Sequence, residues 1–120
     1  MNDTGFWSRL EQLTAEHQVI VDRPKGSHHP RYPEMVYPLD YGYLEGTQAA
    51  DGAPVDVWVG SLPERDVVAV VCTGDVMKHD AEVKVLLGCT REEQQTILAF
   101  HNDDSGWQSA ILIPRRGVAG

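Results

Sequence analysis

Apolar residues recur along this chain at two different periods, and the switches between them mark the elements. Phe6, Trp7, Leu10 and Leu13 fall three and four residues apart, the spacing that lines side chains up along one stripe of a helix. Asp3 or Thr4 stands where a cap would accept the first free backbone N–H groups, so the pattern predicts a helix ending near His17. The β-branched run Val19, Ile20, Val21 predicts a short strand over 18–23, stopped by Pro24, which has no N–H to continue a ladder. Residues 25–38 contain Gly26, Pro30, Pro33 and Pro38 and read as a loop, the kind of segment that often carries functional groups.

Further on the period is two. Residues 39–44 predict a short strand, 45–54 a turn region, and 55–60 a strand with Val55, Val57 and Val59 on one face and Asp56 and Trp58 on the other. The apolar run 67–72 suits a buried strand within 66–76, and 81–87 alternates again, with Glu82 and Lys84 opposite Val83 and Val85. Thr90 predicts the cap of a second helix reaching Phe100, with Glu92 and Glu93 in the first turn where the helix dipole favours them. Residues 107–113 predict a last strand, ended by Pro114. About six short strands and two helices make an α+β chain: a small distorted β-barrel, or a curled sheet, flanked by the helices.

A length of 120 residues with 42% hydrophobic content fits one domain over 1–120 with a single core. The net charge of -8 is the wrong sign for non-specific nucleic-acid binding, and a surface this acidic that handles a polyphosphate needs bound divalent metal. No apolar run of about 18 residues and no basic-then-apolar leader is present, so a soluble, cytoplasmic protein without membrane attachment is expected. Cys72 and Cys89 lack CxxC spacing and read as small core residues.

Chemistry concentrates in Tyr37-Pro38-Leu39-Asp40-Tyr41-Gly42-Tyr43 and, shortly after, Asp51-Gly52-Ala53-Pro54-Val55-Asp56. Asp51 alone has an ordinary turn reading, since Asp-Gly beside Pro is a common turn signature. Asp56 sits inside an apolar strand, where a carboxylate needs a partner or a metal to offset its desolvation. Glu82 and Lys84 are either a solvated pair on an outward sheet face or part of the same arrangement. If Asp51, Asp56 and Glu82 converge, they offer oxygen ligands only, which selects Mg²⁺ or Mn²⁺ over zinc.

Residues from about Val19 to Leu86 resemble the soluble family I inorganic pyrophosphatases, most densely in the two blocks just quoted, with support from Pro24-Lys25-Gly26-Ser27 and Glu82-Val83-Lys84. The resemblance implies a distorted five-stranded OB-like barrel, a homo-oligomer, and cleavage of pyrophosphate into two phosphates with several Mg²⁺ ions. It implies metal binding by Asp51, Asp56 and Glu82, with Asp80 or His79 at a further acidic position. Lys84 and Tyr41 match phosphate-contacting groups, so Asp56, Lys84 and Tyr41 are the catalytic candidates. Lys25 and Arg31 match the basic phosphate-binding residues of a loop that is shorter here, and Asp22 resembles a supporting acidic position.

Two further departures accompany the match. Ala53 stands where the family has an aspartate beside the attacking water, and the family's C-terminal Tyr-Lys pair has no counterpart, with Arg115 and Arg116 as possible stand-ins or plain surface. His28, His29 and His79 are candidates to supply a base or ligand for the missing carboxylate. The expected function is Mg²⁺-dependent hydrolysis of pyrophosphate or a related small phosphoanhydride. The alternative is a metal- and phosphate-binding homologue with little or no turnover. A barrel stacking single-stranded nucleic acid on Trp58 and the tyrosines is a third reading, opposed by the charge.

Overall fold

Alternation along the strands sorts the apolar residues to two sides of one sheet. The computed structural model describes residues 4–102 and 106–117. The elements run α1 (Thr4–Glu16), β1 (Val19–Arg23), β2 (Asp40–Leu44), β3 (Val55–Val59), β4 (Val67–Asp75), β5 (Asp80–Leu87), α2 (Arg91–His101) and β6 (Gln108–Pro114). Every expected element is present; Asp3, one of the two caps considered for α1, lies outside the described residues. The strands pair in the order β1-β2-β3-β5-β4-β6, antiparallel throughout except for parallel β3 and β5. With β1 and β6 as edges, the α+β architecture takes its curled-sheet form. No helix among the described residues is long and apolar enough to cross a membrane.

On one side of the sheet, Leu44, Val57, Val59, Val85 and Leu87 pack with Trp7 of α1. On the other, Trp58, Leu86, Val68, Ala69 and Val71 pack with Tyr37, Leu39, Cys89 and Ile97 of α2. A register shift between Val67 and Ala69 marks a bulge, which explains how consecutive Val68 and Ala69 reach the same side. Val57 and Trp58 are both fully buried, so the alternating stretch belongs to a strand covered on both faces. The stripe on α1 is narrower than its spacing suggested: Trp7 is buried, while Phe6 is 48% exposed. Cys89 is a core residue and Cys72 is half-buried, both with free thiols.

Helix α2 is fixed at both ends by polar contacts. At its start, Thr90 and Glu93 form a reciprocal capping box, and Glu93 also accepts the Ser61 N–H at 3.2 Å, tying the helix to the end of β3. At its end, Trp58 Nε1–H donates to His101 Nε2 at 3.1 Å. His101 Nδ1 lies 3.3 Å from Gln108 Oε1, and Gln108 Nε2 donates to Asp75 Oδ2 at 3.2 Å. Because the indole can only donate, Nε2 must accept, and the imidazole is neutral with its proton on Nδ1. Burial, reinforced by the Lys84 charge, holds its pKa down at about 4.

Two outcomes follow. The unfolded chain takes up a proton at His101 near pH 6.5, whereas the native chain refuses it until about 4. Stability therefore falls as pH drops across that window and levels off below it, by up to about 3 kcal/mol at ~1.4 kcal/mol per unit. Urea unfolding as a function of pH reads this, and His101→Gln flattens the slope. A Cβ at Gly42 would collide with the Ile20 carbonyl oxygen of the neighbouring strand, so Gly42→Ala costs ~3 kcal/mol or more, read as a lowered Tm by circular dichroism.

Candidate active site

Period two along β2, β3 and β5 determines which polar side chains meet. In the paired register Tyr41 lies opposite Trp58 and Tyr43 opposite Asp56, so both tyrosines stand on the face that carries Asp56. The β3–β5 ladder runs only from Val57↔Val85 to Val59↔Leu87. Beyond its end, Lys84 reaches across from β5. Its Nζ donates to Tyr41 Oη, Asp56 Oδ2 and Glu82 Oε2, each at 2.9 Å, which uses all three ammonium hydrogens.

Lys84 is 6% exposed, so the solvated-pair reading of Glu82 and Lys84 does not describe this face. Burial pulls the lysine pKa down, but Tyr41, Asp56 and Glu82 outweigh it, and the ammonium is held above the ordinary lysine range. Burial raises the Tyr41 pKa despite the neighbouring ammonium, so the phenol stays neutral beside a permanent positive charge. Burial also works against ionised Glu82, and the bond from Lys84 reverses that, leaving the carboxyl below its ordinary value. Asp80 shifts the other way, raised by burial and by Glu82. Lys78 lies 3.7 Å from Asp80 and 3.6 Å from Glu82.

This cluster borders a cavity of about 270 Å³ whose lining is mixed in charge: Asp22, Asp56 and Glu82 against Arg23, Lys78 and Lys84, with Tyr37, Tyr41, Tyr43 and His29 between. Arg23 Nη1 donates to Tyr37 Oη at 2.7 Å and its guanidinium lies 5.6 Å from the ring centre. Arg23 and Lys78 were not among the residues singled out from sequence. The signal for Arg23 was available, since a charge closing an apolar strand raises the same question as Asp56. Lys78 sits in the β4–β5 turn, where only the folded hairpin brings it to Glu82.

The other candidates are distributed differently. Asp51 and Asp80 line a second cavity, of about 310 Å³, together with Asp56, Glu82 and the α1 residues Phe6, Leu10 and Leu13. Asp51 is exposed, and its Oδ1 accepts the Ala53 N–H at 3.0 Å, the bond of its own turn. Lys25 gives its backbone N–H to Asp40 at 2.8 Å and borders a separate pocket with Ser61 and Glu93. Arg31 lies over the Tyr32 ring at 5.9 Å. His28 Nδ1 is 2.6 Å from the Pro33 carbonyl, His79 occupies the β4–β5 turn at φ 58°, and Arg115 is paired with Glu11 at 2.6 Å.

The carboxylates Asp51, Asp56, Asp80 and Glu82 share one cavity and offer only oxygen, which suits a hard cation such as Mg²⁺. As they stand, no three acidic, histidine or cysteine side chains among the described residues are gathered closely enough to hold one. The convergence point of Asp56 and Glu82 is occupied by the Lys84 ammonium. The donor chemistry therefore fits a hard metal, and a second positive charge is what the set lacks.

The family model described as Inorganic Pyrophosphatase matches residues 16–114. An inorganic pyrophosphatase of Aeropyrum pernix is 43% identical over 60 residues, covering 43% of this chain and 34% of that protein. One of Corynebacterium glutamicum is 41% identical over 69 residues, covering 45% and 43%. The matches thus span less than half the length of these relatives. Among solved structures, the inorganic pyrophosphatase of Helicobacter pylori has a TM-score of 0.57 at 15% identity, over 81% of this chain and 83% of that one. That of Thermus thermophilus has 0.52 at 20% identity, over 82% of each. At such identities the likeness to the two structures is one of fold.

Removing the ammonium tests the site's electrostatics. Lys84→Met leaves Asp56 and Glu82 facing each other with only the exposed Lys78 beside Glu82 and costs about 2 kcal/mol at pH 7. That is less than the ~3–5 kcal/mol for breaking a fully buried pair, because the Asp56 side chain is 33% exposed. The depressed Glu82 carboxyl contributes above its ordinary 4.5 and loses that contribution as pH falls through its folded value, so the gap between the two proteins narrows below about pH 4.5. Urea midpoints at pH 7 and pH 4 measure it.

Proposed function

The chain belongs to the inorganic pyrophosphatase family, and on that premise we propose that it hydrolyses inorganic pyrophosphate, or a related small phosphoanhydride, to phosphate with Mg²⁺ or Mn²⁺. The observation that carries this reading is Lys84, a buried ammonium joined to Asp56, Glu82 and Tyr41 on the wall of a cavity lined by both signs of charge. Asp51, Asp56, Asp80 and Glu82 would hold the metal ions. When bound, such ions neutralise phosphate oxygens and acidify a coordinated water.

The chain's own groups do the rest. Lys84 keeps its proton because of its partners, so it places a fixed positive charge where a phosphoryl oxygen gains negative charge. Tyr41, neutral and bonded to Lys84, orients that ammonium and offers a hydroxyl to the same anion. Arg23 and Lys78, both lining the cavity, supply further cationic contacts in place of Lys25 and Arg31, which lie elsewhere. Assembly into a homo-oligomer is part of the same proposal.

A second reading is favoured by Ala53. It is an exposed turn residue whose polar contacts are backbone only, its N–H to Asp51 and its carbonyl to the Ala49 N–H, so no carboxylate stands there to take a proton from water. On that reading the protein binds metal and phosphate with little turnover. Phosphate release from pyrophosphate with Mg²⁺ separates the two: the enzyme shows release that drops by about 10²-fold or more in Asp56→Asn. Calorimetric binding of pyrophosphate without release supports the second reading, and neither binding nor release removes both.

A further inference from the structure

The loop between β1 and β2 brings one histidine to the cavity and fixes which ring nitrogen it presents. The His29 ring lines the 270 Å³ cavity. Its Nδ1 faces back into the loop, where it lies 3.1 Å from the Arg31 backbone nitrogen and 3.2 Å from that of Tyr32. Both partners are amide N–H groups, which only donate, so Nδ1 must offer its lone pair and the neutral ring carries its proton on Nε2. The ring is held by Tyr32 at 5.3 Å and by Tyr37, nearly parallel at 6.2 Å. The His29 N–H donates to the Met35 carbonyl at 2.8 Å, and the adjacent His28↔Val36 bridge closes the loop. Among the described residues nothing bonds Nε2.

We propose that His29 is a substrate-contacting residue that donates Nε2–H to a phosphoryl oxygen of the bound diphosphate, and is not a general base. A base needs a lone pair facing the substrate, and the only lone pair is spent on the loop. Burial and the charges of Arg23, Lys78 and Arg31 keep the ring neutral, which preserves that arrangement while Arg23 and Lys78, which line the cavity, draw the anion in. This rests on the diphosphate reading above and adds to it a contact made by an uncharged donor.

Two substitutions separate the ring's two jobs. In His29→Asn the side-chain oxygen stands near Nδ1 and still accepts the loop N–H groups, but the distal donor is gone. In His29→Gln an amide N–H₂ stands near Nε2, but the Nδ1 acceptor is lost. The readouts are Tm, calorimetric binding of imidodiphosphate with Mg²⁺ to the full chain, and the split between KM and kcat. His29→Asn should keep its Tm and bind the analogue about 10-fold more weakly, the effect of losing a hydrogen bond to a charged group. His29→Gln should lose Tm yet bind more tightly than His29→Asn. Wild-type affinity in His29→Asn, or affinities that simply follow Tm in both variants, overturns the His29 role while leaving the diphosphate reading intact. If the unsubstituted protein binds no imidodiphosphate, the diphosphate reading fails first and takes this one with it.

Discussion

One ammonium, on Lys84, decides how the middle of this sheet is built. A lysine at 6% exposure is tolerated only if its charge and all three of its hydrogens are satisfied. Three acceptors from three strands do so at a single distance. Meeting that demand requires β2, β3 and β5 to lie side by side with Tyr41, Asp56, Glu82 and Lys84 on the same face. The parallel β3–β5 pairing satisfies it, and the short ladder leaves the space into which the lysine extends. The same face continues into Trp58 and Leu86, so the polar cluster is the open end of the α2-side core.

That continuity links stability to the site. Trp58 stacks edge-on against Tyr41 at 4.7 Å and donates to His101. His101 leads through Gln108 to Asp75, and Asp75 accepts the Met77 and Lys78 N–H groups that shape the β4–β5 turn. Lys78, placed by that turn, faces Glu82. A row of contacts thus runs from the end of α2, across β6 and β4, and back to the cluster. The neutral state of His101 is the polar condition for the row, because a second proton would set two donors against each other at Trp58.

The elements were legible in the sequence because each carries a local signal. β-Branched runs, Pro24 and Pro114, and the Thr90 cap act within a few residues of themselves. The meeting of Asp56, Glu82, Lys84 and Tyr41 followed from motif resemblance and from strand parity, both of which survive without knowing the sheet order. Arg23, Lys78 and the orientation of His29 were less accessible, for they depend on where a hairpin and an irregular loop end in space. The α1 stripe misled for a related reason: periodicity identifies a face, but how much of it is covered depends on what lies opposite, and Phe6 extends past the sheet's cover.

Charge balance explains why mixed lining and an acidic chain belong together. The cavity assigned to the diphosphate balances Asp22, Asp56 and Glu82 against Arg23, Lys78 and Lys84, and the neighbouring cavity that shares Asp56 and Glu82 adds Asp51 and Asp80. An approaching diphosphate therefore meets a net negative site on a chain of net charge -8, where Coulomb repulsion at close range is worth kilocalories rather than tenths. Arg23, Lys84 and the His29 N–H can orient such an anion, but they cannot reverse that sum. Under the proposed function the missing charge has to arrive with the ligand or ahead of it, as a divalent ion held by the carboxylates. The cationic and uncharged donors on the opposite part of the lining then act on an anion whose charge is already largely compensated, which is the condition under which an uncharged donor such as His29 contributes to its orientation.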